Sequence, residues 1–214
     1  MNSLLRYSLL CLSCFPLLVS CVSVDRVIFR PHSAAFENRL PNLELAIDHS
    51  TLDNTDSLLA DAPQQLFQHE VTQNIVDPTD NIKFGCLKLT ITSVVNERKG
   101  KGFQVLQMAT LMAPSLLGVP LEYYRSSVRA QVQVINSHGK VLGCYRGVGY
   151  STVQVALYHG YSQTNASRLA DIDALRHALS QIRPQIEGVS DSLRTKLLAG
   201  GPMGPLSGAT ALDR

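Results

Sequence analysis

The stretch SSVRAQVQVINSHGKVLGCYRGVGY, residues 126–150, decides the fold. Val128, Ala130, Val132 and Val134 alternate with Arg129, Gln131 and Gln133, the period of two expected of a half-buried strand. Asn136, Ser137, His138, Gly139 and Lys140 then form a turn-rich link, and a second strand follows over residues 141–150. The pair predicts an antiparallel hairpin. In its second arm Gly143, Gly147 and Gly149 fall on alternate positions, so one face presents little side chain and permits a bulge or the close approach of a neighbour.

Further along the chain, Ala166, Ala170, Ala174 and Ala178 form a small-residue ridge beside Leu169, Ile172, Leu175, Leu179, Ile182 and Ile186. That spacing predicts a long helix able to lie close on a sheet. Thr164 or Asn165 caps its start, and Pro184 kinks or ends it. A shorter helix begins at Ser190 and Asp191 and runs to Ala199, ahead of Gly200.

Working upstream, Leu43, Leu45 and Ile47 alternate over residues 43–49 and predict a strand, followed by a polar loop. Asp61 and Gln64 resemble a capping box, Pro63 suits a first helical turn, and Leu66, Phe67, Val71 and Ile75 make one apolar helical face that ends before Pro78. Leu87, Leu89 and Ile91 alternate with Lys88, Thr90 and Thr92, giving a strand over 84–95 and then a charged turn at 97–101. This order predicts an α+β fold: a two-layer sandwich of a mixed or antiparallel sheet of about four to five strands, with helices packed on one face. Its expected limits are residues 42–187, with the short helix at 188–199 and a disordered Gly/Pro-rich tail at 200–214.

Residues 102–121 carry no charge and contain Phe103, Val105, Leu106, Met108, Leu111, Met112, Leu116 and Leu117. A helix from Phe103 to about Ala113 would show a wide apolar surface, with Gln104, Gln107 and Thr110 as its narrow polar stripe. Such a surface must be covered, by the core of the fold, by a membrane or by a protein partner. Phe103, Leu106, Met108, Leu111, Met112, Leu116 and Leu117 are the candidate partner surface, and the two prolines and paired glutamines oppose a membrane span.

Residues 1–20 hold a single charge, Arg6, then an apolar run, then the small residue Ser20 before Cys21. The run is too short for a comfortable span and reads as a secretion signal. Leu18, Val19, Ser20 and Cys21 resemble a bacterial lipobox. The resemblance implies cleavage before Cys21 and acylation of that residue, and several acyl chains anchor a protein stably to a membrane. Val22, where an aspartate would retain a lipoprotein at the inner membrane, implies by the same resemblance export to the outer membrane, with the domain facing the periplasm. Residues 21–41 then serve as a lipidated tether. Cys86 and Cys144 remain in the folded part, either as a disulfide, if their strands bring the α-carbons within about 7 Å, or as two buried free thiols.

Reactive constellations are sparse. Lys and Arg total 19 against 17 Asp and Glu, a net charge of +2, and with 6% aromatic residues and no Trp this implies no nucleic-acid partner. His69 and Glu70 begin a zinc-protease string, but Gln73 stands where a second imidazole is needed, so no metal site is predicted. No motif for a phosphate, a dinucleotide or a serine nucleophile occurs, and no cofactor is expected. Asp48, His49 and Asp53, with the tyrosines Tyr145, Tyr150, Tyr158 and Tyr161, are the only basis for a cryptic envelope hydrolase or glycan-binding protein.

The element order resembles the compact lipoprotein domains that include the amino-terminal domain of the Tol β-propeller protein, the outer-membrane activators of peptidoglycan synthases and the curli-secretion lipoprotein. LLGVP at 116–120, HGKV at 138–141 with Tyr145 after it, and ALYHGYSQTNASRLADIDAL at 156–175 are similar to a group of uncharacterised bacterial lipoproteins. What the likeness implies is a non-enzymatic, lipid-anchored envelope protein that binds a protein partner or scaffolds an assembly. It carries over no catalytic residue.

Overall fold

A computed structural model describes residues 35–48, 61–77, 79, 81–100, 102, 105, 108–110, 122–155 and 163–203 of the chain. Four strands, β1 (Glu44–Asp48), β2 (Gly85–Lys99), β3 (Glu122–Asn136) and β4 (Val141–Val155), form one sheet in that spatial order. β1 runs parallel to β2, and the other pairs are antiparallel. Parallel neighbours need a crossover, and α1 (Ala62–Glu70) lies between β1 and β2 in the chain. With α2 (Gln163–Glu187) and α3 (Ser190–Ala199) the architecture is α+β, a mixed sheet of four strands with helices packed on one face.

The hairpin is the best-specified part. Asn136 Oδ1 accepts from the backbone N–H groups of His138 (3.1 Å) and Lys140 (2.8 Å), and Gly139 takes a φ of 77° that a side chain would oppose. Val128, Ala130, Val132 and Val134 are buried under the helices, as are Leu87, Leu89 and Ile91. Each of these larger aliphatic side chains contributes on the order of 2 kcal/mol by leaving water. Both long strands overrun their predicted ends. β3 begins at Glu122, and β4 continues to Val155.

Residues 97–99 are strand, not a charged turn, because the register with β3 shifts between Ile91 and Ser93. This bulge reverses the parity of β2: Leu87, Leu89 and Ile91 face the helices before it, and Val94, Asn96 and Arg98 do so after it. Arg98 thereby reaches Glu122, which is 2% exposed, through two guanidinium hydrogen bonds, and its guanidinium stacks 6.0 Å from the Tyr124 ring centre. That pairing raises the Arg98 pKa above its ordinary value.

α1 starts with Pro63 in its first turn, but Asp61 makes no side-chain cap, so the predicted capping box does not form. Leu66, Phe67, Val71 and Ile75 are buried as expected, although the final turn, Val71–Ile75, is a π-helix. Its carbonyls are not orphaned: Phe36 N–H donates to Asn74 O and Leu40 N–H to Ile75 O, both at 2.9 Å. The expected tether therefore ends earlier than residue 41, since Phe36 and Leu40 belong to the core. Likewise α3 buries Leu193 and Leu197, and Met203 N–H donates to Lys83 O at 2.7 Å, so residues 200–203 are ordered, not part of a loose tail.

α2 continues through Pro184 to Glu187. Ile182 and Ile186, buried on either side of the exposed proline, hold the helix against the core across the lost N–H. Arg183, also buried, reaches Glu70 at 3.5 Å and lies 5.4 Å from the Phe36 ring centre, tying α2 to α1 and the incoming segment. The glycine face meets the alanine ridge. A Cβ on Gly147 would strike the Ala178 carbonyl oxygen, and one on Gly149 would strike that of Ala174 and come within 2.6 Å of Ala178 N.

Side chains of α2 also close the outer edge of β4. Val148 N–H donates to Gln181 Oε1 (3.2 Å), Gln185 Nε2 donates to Arg146 O (2.9 Å), and His177 Nδ1 donates to Tyr150 O (2.7 Å). Four helical residues rise about 6 Å, close to the 6.6–6.8 Å of two strand residues, which lets positions 177, 181 and 185 follow 150, 148 and 146.

Candidate functional site

Two polar arrangements stand out, one inside the domain and one on its surface. Inside, Ser126 and Ser151 are register partners on β3 and β4, beneath α2. Ser126 Oγ donates to Asp171 Oδ1 and Ser151 Oγ to Asp173 Oδ2, each at 2.6 Å. Asn96, turned inward by the bulge, donates to Asp171 Oδ2 at 3.3 Å, and Arg176 pairs with Asp173 at 2.9 Å. The seam divides the core into a large cluster and a smaller one of Val153, Val155, Ala166, Leu169 and Ala170.

Burial pushes the Asp171 carboxyl above its ordinary pKa, against the opposing pull of Ser126, Asn96 and Arg168. Burial also lowers the Arg168 guanidinium, with Asp171 acting the other way. The seam's serine hydroxyls and carboxylates are paired with one another. Both serine hydroxyls donate to carboxylate oxygens, and Ser126, Ser151 and Asp171 are all buried beneath α2.

On the surface, the second face of the sheet carries Cys86, Lys88 and Thr90 from β2, alternate residues from Tyr123 to Gln133 of β3, and Cys144, Arg146, Val148, Tyr150, Thr152 and Gln154 of β4. Among the described residues no helix or strand lies over it. Lys88 pairs with Asp48 (3.7 Å) and Lys99 with Glu97 (3.2 Å), exposed pairs each worth no more than about 1 kcal/mol. A separate cleft of about 420 Å³ runs between β1 and α1, lined by Leu43, Leu45, Ile47 and Phe67 and rimmed by Glu44, Gln64, Gln68 and Lys83.

The residues singled out from sequence are scattered by this geometry. Cys86 and Cys144 are free thiols. β3 separates their strands and their partners on it, Ile135 and Gln133, are two residues apart, so they lie more than two strand spacings, roughly 9.6 Å, from each other, beyond disulfide reach. Neither is fully buried: Cys86 is half-buried and Cys144 exposed. Tyr145 packs on the helix side of β4 and Tyr150 stands on the open side, so they form no shared patch; Tyr158 and Tyr161 lie outside the described residues. Asp48 sits at the end of β1 beside Lys88, while His49 and Asp53 lie outside the described residues.

Of the candidate partner surface, Met108 is 78% exposed and helical, as is Val105, 69% exposed. Phe103, Leu106, Leu111, Met112, Leu116 and Leu117 lie outside the described residues, as does Cys21. Glu70 turns to Arg183, and no group of three metal-binding side chains occurs among the described residues. No described helix is long and apolar enough to cross a membrane. No model of a known protein family matches the chain, and no curated protein matches it.

Proposed function

We propose that the chain is a non-enzymatic envelope protein, lipid-anchored at Cys21 in the outer membrane, whose periplasm-facing domain binds a protein partner or scaffolds an assembly. The observation that carries this reading is the one-sided sheet: three strands of 15 residues pack helices on one face and leave the other as a broad display of side chains. The exposed Val105 and Met108, three residues apart on one helical face, add a second, apolar contact point. The lipobox-like segment supports the anchor, and the similarity to uncharacterised lipoproteins supports the class. The hydrolase or glycan-binding alternative has less behind it, because Tyr145 and Tyr150 diverge and Asp48 lies against Lys88.

Intact-mass analysis of the detergent-extracted protein beside a Cys21→Ala variant tests the anchor. A chain beginning at Cys21 and carrying acyl groups is expected, and an unacylated chain overturns it. Crosslinking from Met108 tests the partner. A Met108 crosslink to protein is expected, with Val105→Asp weakening it and leaving the thermal midpoint within about 2 °C, since both side chains are already in solvent.

A further inference from the structure

The open face of the sheet shows what kind of partner fits it. Arg129 is the register partner of Val148 and Arg146 that of Gln131, so the two arginines are diagonal neighbours on β3 and β4, with roots about 7–8 Å apart. Tyr150, partner of Ser127, is diagonal both to Arg129 and to Arg125. Arg146, Arg129, Tyr150 and Arg125 therefore zigzag along one ladder, all four exposed.

Three lysines of this face and its border are neutralised in place, Lys88 by Asp48, Lys99 by Glu97 and Lys83 by Glu44. Glu97 is opposite Arg125 in register yet makes its ion pair with Lys99. Among the described residues no carboxylate lies within ion-pair distance of Arg125, Arg129 or Arg146, and Arg146 Nε donates to the neutral Gln131 Oε1 at 2.9 Å. Three guanidinium groups are thus held on a rigid sheet with no ion-pair partner among the described residues.

We infer that this face docks a protein surface rich in carboxylates, with Arg129 and Arg146 as paired anchors, Arg125 beside them and Tyr150 as the flat contact between. The inference rests on the proposed partner-binding reading and names the chemistry of that partner. Guanidinium forks clamp carboxylates in two-point geometry, and Arg and Tyr are enriched in protein interfaces whereas Lys is depleted. Three 15-residue strands at about 4.8 Å spacing and about 3.3 Å per residue offer roughly 700 Å², close to the roughly 800 Å² each side contributes to a standard interface. The flanking Gln133, Thr152 and Gln154 add fixed hydrogen-bond donors and acceptors across the same face.

The test places a photo-crosslinking amino acid at Thr152, on the open face beside Arg125, and separately at Met108, in the full-length chain in its own cells. A Thr152 crosslink to a protein peptide rich in Asp and Glu is expected, reduced on the order of tenfold by R129E with R146E and competed by a poly-glutamate peptide. Circular dichroism of the double variant checks that it folds. A Thr152 crosslink to lipid or glycan, or one to protein that ignores the charge reversal, overturns the inference. Protein crosslinks from Met108 alone overturn it while leaving the partner-binding reading standing, and none from either position overturns both.

Discussion

On β4, Gly147 and Gly149 lie against the backbone of α2, whereas Arg146 and Tyr150, one residue away from each, stand in solvent on the opposite face. The inner face works by omission. Its glycines let α2 approach until alanine carbonyls meet the strand, and the alanine ridge and buried aliphatics fill what space remains. The outer face works by what it presents, and nothing in the packing dictates its residue types. Stability and recognition are thus assigned to residues of opposite parity on one strand, which makes them separable by mutation.

The largest effect is expected at the inner face. Gly149→Ala adds a methyl group where the Ala174 carbonyl and Ala178 amide leave no room, so α2 must lift. A loss of about 3 kcal/mol follows, measured by urea unfolding, with a thermal midpoint lower by roughly 6–12 °C. An unchanged midpoint would mean that α2 is not seated on the glycines.

Next comes the polar seam. Asp171 has a raised pKa in the folded protein, so between its unfolded value near 3.8 and that raised value the folded state holds a proton the unfolded state lacks. Its contribution to stability is therefore greatest below the unfolded value and declines as pH rises through the folded one. Asp171→Asn should flatten that part of the curve of midpoint against pH; an equal slope in both proteins would place Asp171 in contact with water.

A smaller loss, about 1 kcal/mol, is expected from Gln181→Ala with Gln185→Ala, which frees Val148 N–H and the Arg146 carbonyl. Faster hydrogen exchange at the Val148 amide is the sharper readout. Within the open face, the exposed Cys144 should react with maleimide before Cys86, whose thiol is half-buried and pushed up in pKa by that burial and by Glu44. Equal rates would show that the centre of the face is as accessible as its rim. The smallest effect belongs to Tyr150→Ala and Arg129→Glu, each within about 0.5 kcal/mol of wild type in stability.

Much of the inner face was legible in the sequence. Alternating valines, the spaced glycines and the four-residue alanine ridge each follow a period that a single sequence displays, and the close seat of α2 joins the last two. The bulge at β2 was not legible. Shifting the register around Thr92 breaks the alternation, so Arg98 looks like part of a charged turn and Asn96 falls between strand and turn, although they reach Glu122 and Asp171. The seam was hidden by distance along the chain, since Ser126 and Asp171 are 45 residues apart. On the outer face, Arg129 and Arg146 look like ordinary solvent positions until the register places them diagonally, while tyrosines close in sequence divide between two faces.

The bonds from His177, Gln181 and Gln185 set how copies of this domain can add to one another. A sheet with two free edges can extend without limit. Here the middle of one edge is sealed by the domain's own long helix, over positions 146–150. A strand arriving from a second copy therefore finds positions 146–150 of β4 already bonded, and pairing across that stretch would first have to displace the side chains of α2.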